Sequence, residues 1–294
     1  MKIAKIIATS FFPRVVREET ILTGDPPVYT LHSQNFRTVD DIKKLILFNI
    51  EQEKNCDPGL PVDIVFVNND TGSEEGNNFI KKLNGQNLKN GKIITIQNTN
   101  KGWSYGAFSR GFKELNEIYD YFIFTEDDVI ISRKNYAKIS LDIFNRDTNC
   151  GFVSYWGLTN HLDKSTGNQN LIHAHGASGF SSSKVLKKIY KKYGKLPHSE
   201  LSDKKYYDKI ISEGEIQFTN VILKMGYTLK ESPLKLFDPA YDLMRGIDKP
   251  WKPKKFESLI WSIIKKLRKI SYELLIFFKL YKAYKFIKIK ILNR

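Results

Sequence analysis

The chain of 294 residues contains little of what defines several protein classes. Its two cysteines, Cys56 and Cys150, are too few for a disulfide framework and too far apart for a zinc-binding pair. With 18 glycines and 10 prolines it is neither fibrous nor disordered. Charged residues interrupt every apolar run before it reaches the length of a membrane-spanning helix, and Lys5 interrupts the only candidate for a secretory signal. These absences predict a globular protein of the reducing cytoplasm.

Positive charge is concentrated at one end of the chain. Residues 249–294 hold 14 Lys and Arg against Glu257 and Glu273, so they carry +12 of the formal net charge of +15. Apolar residues recur there every three or four positions between lysines, which predicts a basic amphipathic helix. Such a helix binds an anionic membrane surface, and a dimerisation or packing helix is the alternative. We therefore expect a protein on the inner face of the cell membrane, without a nucleic-acid partner.

Apolar runs alternate with helical periods over the rest of the chain, which is the pattern of an α/β protein with a mostly parallel central sheet. We expect a single Rossmann-like domain over residues 1–248, divided into halves at residue 130, followed by the tail. An insertion at 14–37 separates the first strand from the first helix. Predicted strands lie at 2–8, 62–67, 92–97, 121–124 and 151–155, and predicted helices at 39–53, 77–83, 105–117, 184–193 and 207–225.

Three adjacent carboxylates follow the fourth predicted strand: Glu126, Asp127 and Asp128. Like charges this close repel each other, and a divalent cation would offset that cost. Strand alternation places Glu126 and Asp128 on one side and Asp127 on the other. We therefore expect Mg²⁺ or Mn²⁺ on Asp128, with Glu126 beside it, because these cations prefer carboxylate and phosphate oxygens. A solvated acidic loop is the alternative.

Polar residues also follow the other predicted strands, and in parallel sheets such strand ends border the ligand crevice. Thr9 ends the first strand, Asn69 and Asp70 follow the second, and Asn100 follows the third. We expect these side chains to converge with the acidic triplet in one crevice.

The segment after Asn100 contains small residues ahead of a predicted helix. Gly102 and Gly106 lack a Cβ and let the backbone approach a phosphate or sugar, while Ser104 can cap the helix. Arg110 can then reach a diphosphate as a fixed cation. An ordinary loop before a helix packed on the sheet is the alternative.

Two of these segments resemble a known family. Asn100-Lys-Gly-Trp-Ser-Tyr-Gly-Ala-Phe-Ser-Arg-Gly111 and Tyr121-Phe-Ile-Phe-Thr-Glu-Asp-Asp-Val129 resemble the nucleotide-sugar-binding half of glycosyltransferases with the GT-A fold, especially family 2. Those enzymes carry N-x-G-x-x-x-G-A-x-N-x-G before a strand that ends in D-x-D. The resemblance covers residues 2–232, with Ser109 in place of the usual Asn and Asp70 as the substitute for a base-contacting Asp. It implies that the nucleotide sugar, with a UDP-sugar favoured, is bound by Thr9, Asn69, Asp70, Asn100, Gly102, Ser104, Gly106, Arg110, Glu126 and Asp127.

The second half also resembles this family. The stretch from Glu213 to Tyr227 is similar to E-D-x-x-x-x-x-R-x-x-x-x-G-Y, which implies that Glu215 is the general base on the acceptor hydroxyl, with Glu213 as the runner-up. The segment His173-Ala-His175-Gly-Ala-Ser-Gly-Phe180 is similar to the strand that lines the acceptor side, and Trp156 can offer a stacking face there.

The resemblance implies a metal-dependent, inverting glycosyltransferase that transfers a sugar to a glycan or lipid-linked acceptor in cell-surface polysaccharide synthesis. Its catalytic groups would be Glu215 and Asp128. A sugar nucleotidyltransferase is the enzymatic alternative, although it would need a glycine-rich loop after the first strand, and residues 9–13 contain no glycine. A non-catalytic membrane-peripheral protein with the same fold is the other alternative.

Overall fold

A central sheet organises the chain in the computed structural model, which describes residues 1–12, 38–161 and 171–239. The predicted insertion at 14–37, residues 162–170 and the basic tail lie outside the described residues. The main sheet has eight strands in the order β11-β7-β10-β5-β1-β2-β4-β3. Its strands are β1 (Ile3–Ser10), β2 (Val62–Asp70), β3 (Asn87–Leu88), β4 (Gly91–Thr99), β5 (Tyr121–Glu126), β7 (Cys150–Ser154), β10 (Gly179–Ser182) and β11 (Thr228–Glu231).

Most neighbouring strands of this sheet are parallel, as predicted. Strand β1 pairs in parallel with both β2 and β5, and β2 with β4, whereas β10 runs antiparallel between β5 and β7. Two short antiparallel pairs stand apart from the sheet: β6 (Val129–Ile131) with β12 (Phe237–Pro239), and β8 (Leu158–His161) with β9 (Leu171–Ala174).

Helices cover both faces of the sheet. The side chains of β1 alternate between the two faces, and apolar residues on each face need to be buried. Ile3 and Ile7 belong to one buried apolar cluster, while Ala4 and Ile6 belong to the other. Lys5 lies on the first face, where its ammonium group pairs with Glu53 at 2.8 Å and is neutralised without water. The helices are α1 (Val39–Asn55), α2 (Glu74–Leu83), α3 (Trp103–Leu115), α4 (Tyr136–Asn145), α5 (Ser183–Tyr193), α6 (Tyr207–Ile211) and α7 (Gln217–Lys224).

Three local expectations were wrong. Strands β2 and β4 continue through Asp70 and Thr99, so the polar residues near their ends are part of the strands. The segment 173–180 is not one strand, because Gly176 turns the chain with φ +66° between β9 and β10. The helix predicted at 207–225 contains a π-helical segment, Ser212–Ile216, between α6 and α7. No helix in the described part of the chain is long and apolar enough to span a bilayer.

Candidate active site

The strand order of the sheet reverses at β1, which has β2 on one side and β5 on the other. In open α/β sheets ligands bind at such a switch point, beyond the carboxyl ends of the strands. Thr9 lies at this end of β1, and Glu126 ends β5. Because β10 is antiparallel and begins at Gly179 beside Phe124, the turn that precedes it reaches the same edge. The predicted nucleotide-sugar half and the predicted acceptor half of the site therefore meet at this edge of the sheet.

The acidic triplet contains two buried carboxylates, those of Asp127 and Asp128, beside the half-buried Glu126. Asp127 is fully buried, where it accepts a hydrogen bond from Thr9 Oγ1 at 2.7 Å. Its main-chain N–H donates to Ala8 and its carbonyl accepts from Asn49 Nδ2. The hydrogen bonds of Asp127 to Thr9 and Ala8 thus hold the chain after β5 against the carboxyl end of β1. Glu126 is half-buried and accepts a hydrogen bond from Ser104 Oγ. The predicted alternation holds for Glu126 and Asp127 but not for Asp128, which is buried because β5 ends at Glu126 and the next two residues form a turn.

Carboxylate oxygens, which hard cations prefer, occur at this edge of the sheet. Glu126 and Asp128 are carboxylates separated by one residue whose own carboxylate points into the protein. No cluster of three or more His, Cys, Asp or Glu side chains suited to a metal occurs in the ranges that the structure describes. A cation held by one or two carboxylates and a substrate diphosphate does not need such a cluster.

Asparagines connect β2 and β4 to the start of α3. Asn69 is buried, and its Nδ2 donates to the carbonyl of Trp103 at 3.0 Å while its Oδ1 accepts from Asn98. The Asn68 side-chain amide donates to the side-chain oxygens of Asn77 and Gln97. These amides position the first turn of α3 against the strand ends.

The glycines before and within α3 allow close contact between chain segments. A Cβ on Gly102 would lie 2.6 Å from the carbonyl oxygen of Ser199, and one on Gly106 would lie 1.8 Å from that of Lys101. The Gly102 N–H donates to the Leu201 carbonyl at 2.8 Å. Both glycines are therefore required by packing within the chain, whether or not a ligand also approaches.

The predicted capping by Ser104 was wrong. Gly102 is the N-cap of α3, without a side-chain cap bond, and Ser104 lies inside the helix. Its hydroxyl is free to bond Glu126 for that reason. Arg110, further along α3, forms an ion pair with Glu114 at 3.1 Å.

Glu215 is the most heavily bonded side chain of the site. Its Oε1 accepts the Gly176 N–H at 2.9 Å and faces His173 Nε2 at 3.3 Å and His175 Nδ1 at 3.4 Å. Its Oε2 accepts the Tyr105 hydroxyl at 2.9 Å. The carboxylate is 8% exposed, so these donors replace water. Glu215 lies within the π-helical segment between α6 and α7.

These contacts determine the charge of the site. Burial disfavours the ionised form of Glu215, but the hydrogen bonds from His173, His175 and Gly176 outweigh it and hold the pKa of the carboxyl well below its usual range. The pKa of His175 is raised, first by its hydrogen bond to Glu215 and to a smaller extent by the charge of Glu126. Glu215 is therefore an anion at all ordinary pH values.

Consecutive residues of α3 join the two halves of the site. Ser104 bonds Glu126 at the end of β5, and Tyr105 bonds Glu215 in the second half. Gly214 makes the second contact possible, because a Cβ there would lie 2.2 Å from the Tyr105 ring. The sequence predictions included Ser104 but missed Tyr105 and Gly214; the glycine between Glu213 and Glu215 was the one signal available.

The other residues predicted for the acceptor side lie around the Glu215 carboxylate and differ in how deeply they are buried. His173 is buried, whereas the His175 side chain is 61% exposed. The Trp156 ring lies beside His175, with ring centroids 6.3 Å apart. Glu213 is partly exposed and pairs with Lys209 at 3.7 Å, so it does not join Glu215.

The other predicted nucleotide contacts are at the periphery. Asp70 is exposed, and its Oδ1 accepts from the Gly72 N–H and Asn77 Nδ2, which closes the turn after β2 and lowers the pKa of its carboxyl. Asn100 is half-buried in the turn between β4 and α3. Ser109, where the resembled family has Asn, accepts the Leu196 N–H at 3.2 Å.

Comparisons with known proteins give structural neighbours only. No family model matches the sequence, and no curated protein matches it. The solved structures similar to it include 4-diphosphocytidyl-2C-methyl-D-erythritol synthase from Anaerococcus prevotii, with 11% identity, coverage of 78% of this chain and 86% of that one, and a TM-score of 0.37. HddC from Yersinia pseudotuberculosis has 15% identity, coverage of 85% and 99%, and a TM-score of 0.43. UTP-bound UGPase from Acinetobacter baumannii has 11% identity, coverage of 89% and 99%, and a TM-score of 0.38.

None of the three is named as a glycosyltransferase. The strand pairing confirms the predicted α/β fold with its mostly parallel sheet, and the resemblance to GT-A glycosyltransferases stays a prediction. At identities of 15% or less and TM-scores of 0.43 or less, the likeness carries no argument about activity.

Proposed function

We propose that this protein is a metal-dependent, inverting glycosyltransferase that uses a nucleoside diphosphate sugar. The observation that carries the proposal is the first turn of α3, where Ser104 and Tyr105 bond Glu126 and Glu215 respectively. One carboxylate borders the switch point at which α/β sheets bind ligands, and the other forms an anionic centre with two histidines. Glycosyl transfer needs these two elements together: a place for a leaving diphosphate and a group that handles the acceptor proton.

On the donor side, the anchored strand end would receive the diphosphate. Asp128 and Glu126 would hold Mg²⁺ or Mn²⁺, which when bound would stabilise the negative charge of the leaving diphosphate. Thr9 and Asp127 keep the strand end fixed, so the two carboxylates do not need to reorganise when the donor binds. Asp70 is our candidate for the contact to the base, in a UDP-sugar by preference.

On the acceptor side, the exposed His175 and the neighbouring Trp156 offer a polar edge and an aromatic face of the kind that sugars contact. The acceptor hydroxyl would lose its proton to the centre formed by Glu215 and its donors. The acceptor would be a glycan or a lipid-linked saccharide.

A sugar nucleotidyltransferase is the second candidate. The named neighbours agree with this candidate better than with a glycosyltransferase, although their low similarity gives it no weight of its own. Residues 9–13 lack the glycine that a nucleotide-binding loop after the first strand would need, and residues 13–37 lie outside the described ones. The Glu215 centre, which a nucleotidyl transfer would not require, favours the first candidate.

A thermal-shift panel tests the donor. Full-length protein is heated with UDP-, GDP-, CMP- or dTDP-sugars, or with the corresponding nucleoside triphosphates, each with and without Mn²⁺, because a ligand that binds only the folded state raises the melting temperature. We expect stabilisation by one nucleoside diphosphate sugar that depends on Mn²⁺. Stabilisation by a nucleoside triphosphate alone would favour the second candidate. Binding without turnover against any acceptor would indicate a non-catalytic protein.

The basic tail is proposed to bring this site to the membrane. Truncation after Pro250 removes 13 of the 14 basic residues of the tail and none of the proposed site residues. The truncated protein should still bind its nucleotide sugar but should no longer sediment with anionic vesicles. Salt should weaken vesicle binding of the full-length protein, because it screens the lysines. Vesicle binding that survives truncation would contradict the proposed location.

A further inference from the structure

We infer that His175, and not Glu215, accepts the proton of the acceptor hydroxyl, and that Glu215 is a positioning residue for it. This inference rests on the proposed glycosyl transfer. It replaces the assignment of the base to Glu215 that the family resemblance implied.

The first reason is that Glu215 has no room for a substrate. An ionised carboxylate offers about four lone-pair sites. Oε1 already faces the Gly176 N–H and the two imidazoles, and Oε2 accepts the Tyr105 hydroxyl. Oε1 therefore has no free lone pair, and because the side chain is only 8% exposed, burial keeps an acceptor hydroxyl from the second lone pair of Oε2.

The second reason is that His175 has the opposite properties. Its side chain is 61% exposed, and its Nδ1 faces Glu215 Oε1 at 3.4 Å. A neutral imidazole that donates through Nδ1 has a bare lone pair on Nε2, on the far side of the ring from the carboxylate. A buried carboxylate that holds one ring nitrogen in this way fixes the tautomer and stabilises the imidazolium that forms.

The third reason is the turn that carries His175. Gly176 has φ +66°, so its N–H reaches Glu215, and a Cβ there would lie 2.9 Å from the Trp156 ring. This turn keeps His175 against Glu215 with an aromatic ring beside it. His173, which faces the same carboxylate oxygen, is buried and cannot reach an acceptor.

The proposed step is balanced without further reactants. The acceptor oxygen attacks the anomeric carbon as its proton passes to Nε2 of His175. The bond from that carbon to the diphosphate oxygen breaks, and its electron pair leaves with the nucleoside diphosphate. The imidazolium, paired with Glu215, then returns its proton to water.

The pH dependence of kcat/KM separates the two assignments. The charged and titratable groups around His175 are Glu215, which raises its pKa, Glu126, which adds a smaller effect, and His173 and Tyr105, which share the carboxylate. If His175 is the base, kcat/KM rises with pH through a pKa above the ordinary 6.5 of the imidazole. If Glu215 is the base, its low pKa leaves the rate flat from pH 5 to pH 8.

The decisive variants are His175→Ala and His173→Gln in the full-length protein. We expect His175→Ala to lower kcat by about 10²- to 10⁴-fold, the usual contribution of a general base, and free imidazole to restore part of the rate. His173→Gln should keep the acidic limb of the profile because His175 is still present. Wild-type activity in His175→Ala, or an acidic limb that persists without change in it, would overturn the inference.

An NMR titration keeps this test separate from the proposed function. The ring nitrogens of the five histidines are observed in the wild type, and the His175 signals are assigned by their loss in His175→Ala. We expect a protonated Nδ1, a bare Nε2 and a pKa above 6.5 that falls in Glu215→Gln. The opposite tautomer, or a pKa unaffected by Glu215→Gln, would overturn the inference even in an active transferase. The expected titration in a protein that transfers no sugar would instead overturn the proposed function.

Discussion

Removing the Tyr105 hydroxyl tests whether α3 and the Glu215 centre are joined as described. Tyr105→Phe deletes one buried hydrogen bond of 2.9 Å to an ionised acceptor and leaves Oε2 without a donor. A hydrogen bond to a charged group contributes about 1.5–3 kcal/mol to the free energy of unfolding. For a protein of this size, each kcal/mol lowers the melting temperature by about 2–4 °C, so a loss of about 4–8 °C is expected for a mid-range value.

The assay is urea unfolding followed by tryptophan fluorescence, with Tyr136→Phe as the matched control. The Tyr136 hydroxyl donates to Glu53 at 2.8 Å in an equally buried place on the other face of the sheet. Both variants should lose similar stability, but only Tyr105→Phe should also change the rate of transfer. A Tyr105→Phe protein within 0.5 kcal/mol of the wild type would refute the reasoning, as would equal effects of both variants on transfer.

Three further predictions concern the same site. Asp128→Asn should abolish Mn²⁺-dependent nucleotide binding in a thermal-shift assay. Without ligand it should lower the melting temperature less than Asp127→Asn does, because Asp127 is fully buried against Thr9; the reverse pattern would reassign the two carboxylates. Gly214→Ala should destabilise the protein by about 1–3 kcal/mol in urea unfolding, since the new Cβ would lie 2.2 Å from the Tyr105 ring. Ser212→Ala, an exposed position in the same segment, is the control and should be near neutral. The folded-state pKa of Glu215 is depressed, so the ionised carboxylate stabilises the fold above the ordinary pKa of 4.5 and this contribution is lost as pH falls through the folded-state pKa. The difference in unfolding free energy between wild type and Glu215→Gln should therefore shrink below pH 4.5. A difference that stays constant would contradict this.

The sequence predicted those features that depend on local periodicity. Residues 122–124 are buried in β5, and alternation placed Asp127 inside with Glu126 half-buried, but it did not predict the burial of Asp128 in the turn that follows. The α/β fold and its mostly parallel sheet followed from the same patterns and are confirmed.

Features that depend on contacts between distant residues were not predictable. Tyr105 and Glu215 are 110 residues apart, and Ser104 finds Glu126 22 residues away. Nothing in the local sequence indicates that a serine in the first turn of a helix bonds a strand end instead of capping its own helix.

The most direct test of the central claim is the identity of the products. The full-length protein is incubated with Mn²⁺ and either a nucleoside diphosphate sugar plus lipid-linked saccharides, or a nucleoside triphosphate plus sugar 1-phosphates. The products are identified by mass spectrometry, and the anomeric configuration of the new linkage is determined by NMR. A glycosyltransferase releases a nucleoside diphosphate in equal amount to the acceptor that gains a sugar, with the inverted anomeric configuration, and this is the result we predict. Pyrophosphate and a new nucleotide sugar from the second mixture, with no transfer in the first, would contradict it.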